Sequence, residues 1–278
     1  MRSSERCALC LEQRVLKRSH LIPSAVYKLL RAEHAKNPNP IHISEGNAFQ
    51  SSSQPAVHLL CDACEQTLHR LGENEVLPHC FRVGKGLKTL SLLESVSPVD
   101  ENEIFSVYDL PAGRESLVNA FQHFASGVIW KGSVWPHFDG VSLGPYTEIL
   151  RKFVLGFAAL PDSIAIQVHV ARAESTMKNI VWVPKTTFLK PTRVRVHHFA
   201  VPGLKFTMFV SRSLPPAITD WDIRKGRIIV IDWDRMALIN HGEAIAGARP
   251  FGALAKTHGR TVNARPRSAN QPFWGGQP

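Results

Sequence analysis

"HLLCDACE" occupies residues 58–65. Two leucines run straight into Cys61 and Cys64, a cysteine pair with two residues between, and an acidic residue follows. The pattern predicts a short strand, "AVHLL", ending at a metal-binding knuckle, with a helix starting near Cys64 in "CEQTLHRLGENE". The same cysteine spacing occurs in "CALC" (Cys7, Cys10), and the fifth cysteine, Cys80, stands alone. Four thiolates in two CxxC units suit tetrahedral zinc. The long separation between the pairs is tolerable, because loop-closure entropy grows slowly with length. Cys80 reads as a small buried side chain. Zinc held by four cysteines is closed to substrate. It would staple a small domain, and any chemistry would come from residues that the staple positions.

Upstream, "RSHLIPSAVYK" (18–28) holds a lone histidine, His20, before an apolar stretch that ends in Pro23. Val15, Leu16, Leu21 and Ile22 suggest a short strand, Ser24 a helix cap, and "AVYKLLRAEHAK" a helix stopped by Pro38. "IHISEGNAFQSSSQP" reads as a turn-rich, mobile stretch. Taken alone, His20 is best explained as a satisfied side chain in a small core.

The ordered set "CxxC … SHLIP … LLCDACE" resembles the HNH endonuclease family in its zinc-stapled form, over roughly residues 1–85. The resemblance implies a ββα-metal (treble-clef) core, structural zinc on Cys7, Cys10, Cys61 and Cys64, and His20 as general base. It also implies a catalytic divalent cation, Mg²⁺ or Mn²⁺, and double-stranded DNA as substrate. Three positions depart from the family's pattern. Ser19 stands where an acid often precedes the histidine. Ala56 is the nearest counterpart of the middle asparagine, with His58 a substitute orienting group and Asn47 a more distant one. Glu65 follows the second knuckle where a metal-binding histidine is usual.

A carboxylate is nonetheless a good ligand for a hard cation. On a helix starting near Cys64, Glu65, His69 and Glu73 share one side at i, i+4 and i+8, while Leu68 and Leu71 point to a core. These three are the expected cation ligands, with Glu65 also in the catalytic set. A neutral imidazole is a suitable base near pH 7.

The rest of the chain changes character. "ESLVNAFQHFASGVIW" and "YTEILRKFVLGF" read as helices. "SIAIQVHVAR", "NIVWVP", "TRVRVHHFAV", "LKFTMFVS" and "GRIIVIDW" read as strands. The expectation is α+β: a zinc-stapled domain (1–85), an α+β domain with a mainly antiparallel sheet (86–246), and a basic Gly/Pro/Arg-rich tail (247–278) read as disordered. His34, His42 and His79 lack motif support and read as surface or structural groups. His197 and His198 are neighbours on one strand and point to opposite faces. Arg193, Arg195 and His197 alternate along one face, which reads equally as a stripe for nucleic-acid backbone or as the exposed face of a half-buried sheet, and Arg18 and Lys28 are further candidates for nucleic-acid contact.

The 278 residues carry 33 Lys and Arg against 23 Asp and Glu, a net charge of +10. That excess favours polyanions, nucleic acid first and an anionic membrane surface second. No secretory pattern and no membrane-length apolar run is present, so a cytoplasmic protein without membrane insertion is expected. An oligomer, including a homodimer, is compatible with the sequence. Three function classes follow. The first is an HNH-type nuclease of restriction, phage defence or mobile-element processing. The second is a non-catalytic zinc-dependent DNA-binding or regulatory protein. The third is a zinc-stapled interaction module whose charge lies mainly in its tail.

Overall fold

The structure, a computed structural model, describes residues 4–31, 39–44, 47–175, 178–189, 192, 194–234 and 249–250. His34, Arg193 and most of the basic tail fall outside them.

The N-terminal lobe begins with a two-stranded knuckle, β1 (Glu5–Arg6) against β2 (Gln13–Arg14), with Cys7 and Cys10 in its turn. β3 (Leu16–His20) follows, then α1 (Ser24–Leu29). Ser24 does not cap α1. Pro23 occupies the cap position and no side chain bonds there, because Ser24 is already the first helical residue. "IHISEGNAFQ" is not a loose stretch but a hairpin of β4 (Ile41–Ser44) and β5 (Asn47–Gln50). Its period-2 alternation outweighs its turn residues. β6 (Ala56–Cys61) returns antiparallel to β3 and leads into α2 (Asp62–Leu68), which starts two residues earlier than expected. The helical path continues through a π-helical turn at His69–Glu73, α3 (Asn74–Val76) and a 3₁₀ turn at Leu77–His79. α4 (Lys88–Leu93) closes this part.

The second part is a seven-stranded sheet. Its strands are β7 (Asp100–Glu101), β8 (Phe105–Asp109), β9 (Ile164–Ala171), β10 (Trp182–Leu189), β11 (Val194–Val201), β12 (Leu204–Val210) and β13 (Arg227–Ile231), in the order β10-β11-β12-β9-β13-β8-β7. Every neighbour pair is antiparallel except β9–β13. The mixed helix and mostly antiparallel sheet match the expected class. α5 (Glu115–Val134) and α6 (Tyr146–Val154) precede β9, and α7 (Pro216–Thr219) precedes β13. β14 (Arg249–Pro250) pairs in parallel with β5.

α5 lies between the two parts. Its middle is buried all round, as a helix without a polar face must be. On one side, Phe121 and Phe124 meet Phe206 and Phe199 of the sheet. On the other, it meets the helical run after β6 at two glycines. A Cβ on Gly72 would stand 2.9 Å from the Phe124 backbone nitrogen, and one on Gly127 2.8 Å from Leu68 Cδ2. One buried apolar cluster therefore runs from Cys7 to Trp233 through both parts. Among the described residues, no helix is long and apolar enough to cross a membrane.

Candidate functional site

The four cysteines converge as expected. Their Sγ atoms all lie within 4.8 Å of one another, and Cys10 Sγ is 3.9 Å from Cys61 Sγ. An ideal zinc tetrathiolate has sulfur–sulfur edges of about 3.8 Å, from Zn–S bonds of about 2.3 Å. The group could hold a metal ion and is compatible with structural zinc. Local geometry favours a negative Cys7 sulfur: the Cys61 N–H donates to Cys7 Sγ at 3.3 Å. The Cys64 thiol also donates to Cys7 and, with further help from backbone N–H groups, holds its pKa down at about 4 against the effect of burial. The knuckle is tied to its surroundings by Ala8 N–H to Leu59 O (3.0 Å) and by Arg151 of α6, whose Nη1 donates to Leu9 O (2.6 Å). Cys80 is buried, and burial pushes its thiol up to about 12, so it behaves as an inert core residue.

His20 ends β3. Leu21 and Ile22 beyond it are fully buried and pin the strand end. Cross-strand register puts Ala56 opposite His20 and His58 opposite Arg18, with Ser19 and Val57 on the other face of the ribbon. His58 is exposed and Lys28 is exposed on α1. Ser19 is 1% exposed, and its Oγ accepts from Leu60 N–H at 3.1 Å, where a register shift opens the ladder. Asn47 lies on β5.

The His20 imidazole is half-buried and bonds to no other protein group among the described residues. Its pKa lies below the ordinary imidazole value. Burial is the main cause, the Arg18 and Lys131 charges add to it, and Glu65 opposes it. Glu65 on α2 and His20 on β3 thus feel one another, and the Glu65 Oε1 is buried with no hydrogen-bond partner among the described residues.

Lys131 is the residue that sequence reasoning missed. It sits in buried α5, 2% exposed, and its Nζ donates to the His20 carbonyl at 2.9 Å. A lone lysine inside "FASGVIWKG" was the available signal, since a charge in an otherwise apolar helix needs a dedicated partner.

The expected cation ligands are only partly gathered. His69 Nδ1 lies 3.6 Å from Glu73 Oε2, with His69 largely exposed. The π-helical turn changes the winding where the i, i+4, i+8 reading assumed a regular α-helix. Among the described residues, only the four cysteines form a group of three or more ligating side chains at metal-binding separation.

Of the expected basic stripe on β11, Arg193 lies outside the described residues and His197 is not open to a ligand. His197 is fully buried and bonds Thr186 Oγ1 through Nδ1 at 2.9 Å. Its face of the sheet is the one that α5 covers. Arg195 donates to Ser142 O at 2.9 Å and lies over the exposed Phe188 ring. A 560 Å³ cavity there is lined by Tyr146, Phe188, Arg195 and Arg212, among others. His79 is buried against Thr89 Oγ1 at 3.0 Å, and His42 meets Ser51 O at 3.1 Å. Both fit the structural role expected of them.

Set against known proteins, the chain matches no family model, and neither a curated protein nor a solved structure matches it significantly.

Proposed function

We propose that the chain is a metal-dependent HNH-type endonuclease that hydrolyses phosphodiester bonds of double-stranded DNA in the cytoplasm, with His20 as general base. One observation carries the reading. A half-buried imidazole on β3 and a carboxylate with a buried oxygen on α2, neither of these groups partnered among the described residues, sit within electrostatic reach beside the four-thiol cluster, whose second cysteine pair starts α2. The order of knuckle, antiparallel pair and helix supports a ββα-metal, treble-clef reading of residues 1–85. In this role His20 takes the proton of the attacking water, and its lowered pKa keeps it neutral and competent below pH 7. Lys131 holds the His20 backbone, so the ring enters the site from a fixed strand end. Glu65 offers a hard oxygen to a divalent cation, with His69 about one turn and Glu73 about two turns on, and Arg18 and Lys28 offer charge to the phosphates. Mg²⁺ or Mn²⁺ bound there would neutralise phosphate charge and stabilise the leaving oxygen.

A second reading, a non-catalytic zinc-dependent DNA-binding or regulatory protein, draws on different observations. Ser19 is committed to the Leu60 amide, Ala56 offers His20 only a methyl group, and the described residues hold no second ligand cluster. Plasmid nicking separates the two. The nuclease reading expects cutting with Mg²⁺ or Mn²⁺ that chelator stops and that His20→Ala and Glu65→Gln each reduce by about 10²–10⁴-fold. Salt-sensitive duplex binding without cutting in either metal would instead establish the regulatory reading. Undiminished cutting by His20→Ala would remove His20 as the base.

A further inference from the structure

The seven-stranded sheet has a second face, turned away from α5, and its centre is polar. Two neighbouring rows of cross-strand partners run over it. One is Lys185, His198, Thr207 and Gln167, and the other contains Lys205 and His169. Gln167 is settled, since its Nε2 donates to Ile218 O at 3.1 Å. Three of the others are not. Thr207 is 7% exposed, and its Oγ1 is buried without a partner among the described residues. Both ring nitrogens of His169 are likewise buried and unpartnered. Lys205, directly across from His169, makes no hydrogen bond or ion pair among the described residues. Neither row carries a carboxylate. Asp109, further along this face, is held by Arg227 at 3.2 Å.

Buried polar atoms without partners are destabilising, and each calls for an explanation. A lysine charge with no counter-charge costs more. All three groups can donate: an ammonium, a hydroxyl, and an imidazole that carries one N–H when neutral. His169 is neutral, because burial and the Lys205 charge hold its pKa at about 3. Donors gathered around one positive charge, with no acid among them, are the complement of an oxyanion. We propose that this sheet face binds a phosphate group through Lys205, His169 and Thr207. The site lies across the sheet from α5 and shares no residue with the His20 site.

The phosphate could belong to a free anion or to a nucleotide. Calorimetry and thermal melting of the full chain, at constant ionic strength and without divalent metal, would use inorganic phosphate and thymidine 5′-monophosphate as probes. Binding of inorganic phosphate assigns the site to the free anion, and binding of the nucleotide alone assigns it to a nucleotide. Lys205→Met should weaken either by about tenfold or more, with Thr207→Val weakening it in the same direction. Should a variant fail to fold, the ¹⁵N resonances of His169 in histidine-labelled wild type report the site directly and should move with phosphate. His20→Ala should bind the probe as wild type does, so failure of the nuclease reading leaves this test intact. The proposal is overturned if neither probe produces heat or moves His169. The same holds if Lys205→Met melts higher than wild type and no probe binds, which would mark the cluster as a mismatch in the core.

Discussion

At Leu11 the backbone turns through φ 66°, a region that strains a residue bearing a Cβ by about 1–2 kcal/mol. The knuckle demands this turn: Leu11 N–H reaches back to Cys7 O at 2.9 Å, and Cys7 N–H to Glu12 O at 2.9 Å. Leu11 is substantially exposed, so its side chain returns little burial energy. Leu11→Gly should therefore stabilise the fold, by no more than about 1 kcal/mol once glycine's extra unfolded-state entropy is deducted, read as a higher melting temperature. A lower melting temperature would show that the exposed leucine packs more usefully than its position suggests. At His20 burial sets the sign, and the neighbouring charges adjust it. Arg18 and Lys131 disfavour the imidazolium, and Glu65 favours it. Under the proposed function, the acid limb of the rate–pH profile should lie below the unperturbed imidazole pKa of about 6.5. Removing the Arg18 charge in Arg18→Ala should move that limb to higher pH. A limb that stays in place or moves to lower pH would mean that His20 does not titrate in the step.

The element that joins the two parts is the helical run after β6. Gly72 lets it approach α5 until a Cβ would meet the Phe124 backbone at 2.9 Å, and a backbone cannot swing aside as a side chain can. Gly72→Ala should cost about 1–3 kcal/mol of stability by overpacking, read as an earlier chemical denaturation midpoint. Gly127→Ala faces only the end of the Leu68 side chain and should cost less. The reverse order would mean that the crossing rests on different contacts. The cysteines belong to the same scale, because each pair sits where one element hands over to the next. Purified protein should contain one zinc per chain by elemental analysis, and Cys61→Ser should lose most of it. Full zinc retention in that variant would break the four-thiol assignment.

Across the molecule, acid should loosen the fold through its buried imidazoles. Burial, reinforced by Lys88 and Arg114, lowers His79 to about 4, and burial, reinforced by Arg195 and His198, lowers His197 to about 3. Between about pH 6.5 and pH 4 the unfolded chain binds protons that the folded chain refuses, so stability falls as pH falls. The melting temperature should drop steadily over that window, and His79→Gln should shrink the drop. A flat profile would contradict the burial of these rings. The four clustered cysteines, β6, the sheet strands and the α5 pattern were legible because each is written in local spacing: CxxC, period two, or a helical apolar run. The β4–β5 strands were hidden by the turn residues around them, and the burial of His197 by the fact that alternation shows which residues share a face, not what covers it. Lys131 beneath His20, and the polar rows of β9 and β12, depend on contacts between residues far apart in the chain. The sequence by itself determined the thiol set, the class of fold and the placement of His20 on a short strand. Tertiary structure alone decided which charges surround His20, which glycines touch a neighbouring backbone and which polar groups are left without partners. The physical reason is that spacing acts over a few residues, whereas burial and electrostatics depend on what the folded chain brings close.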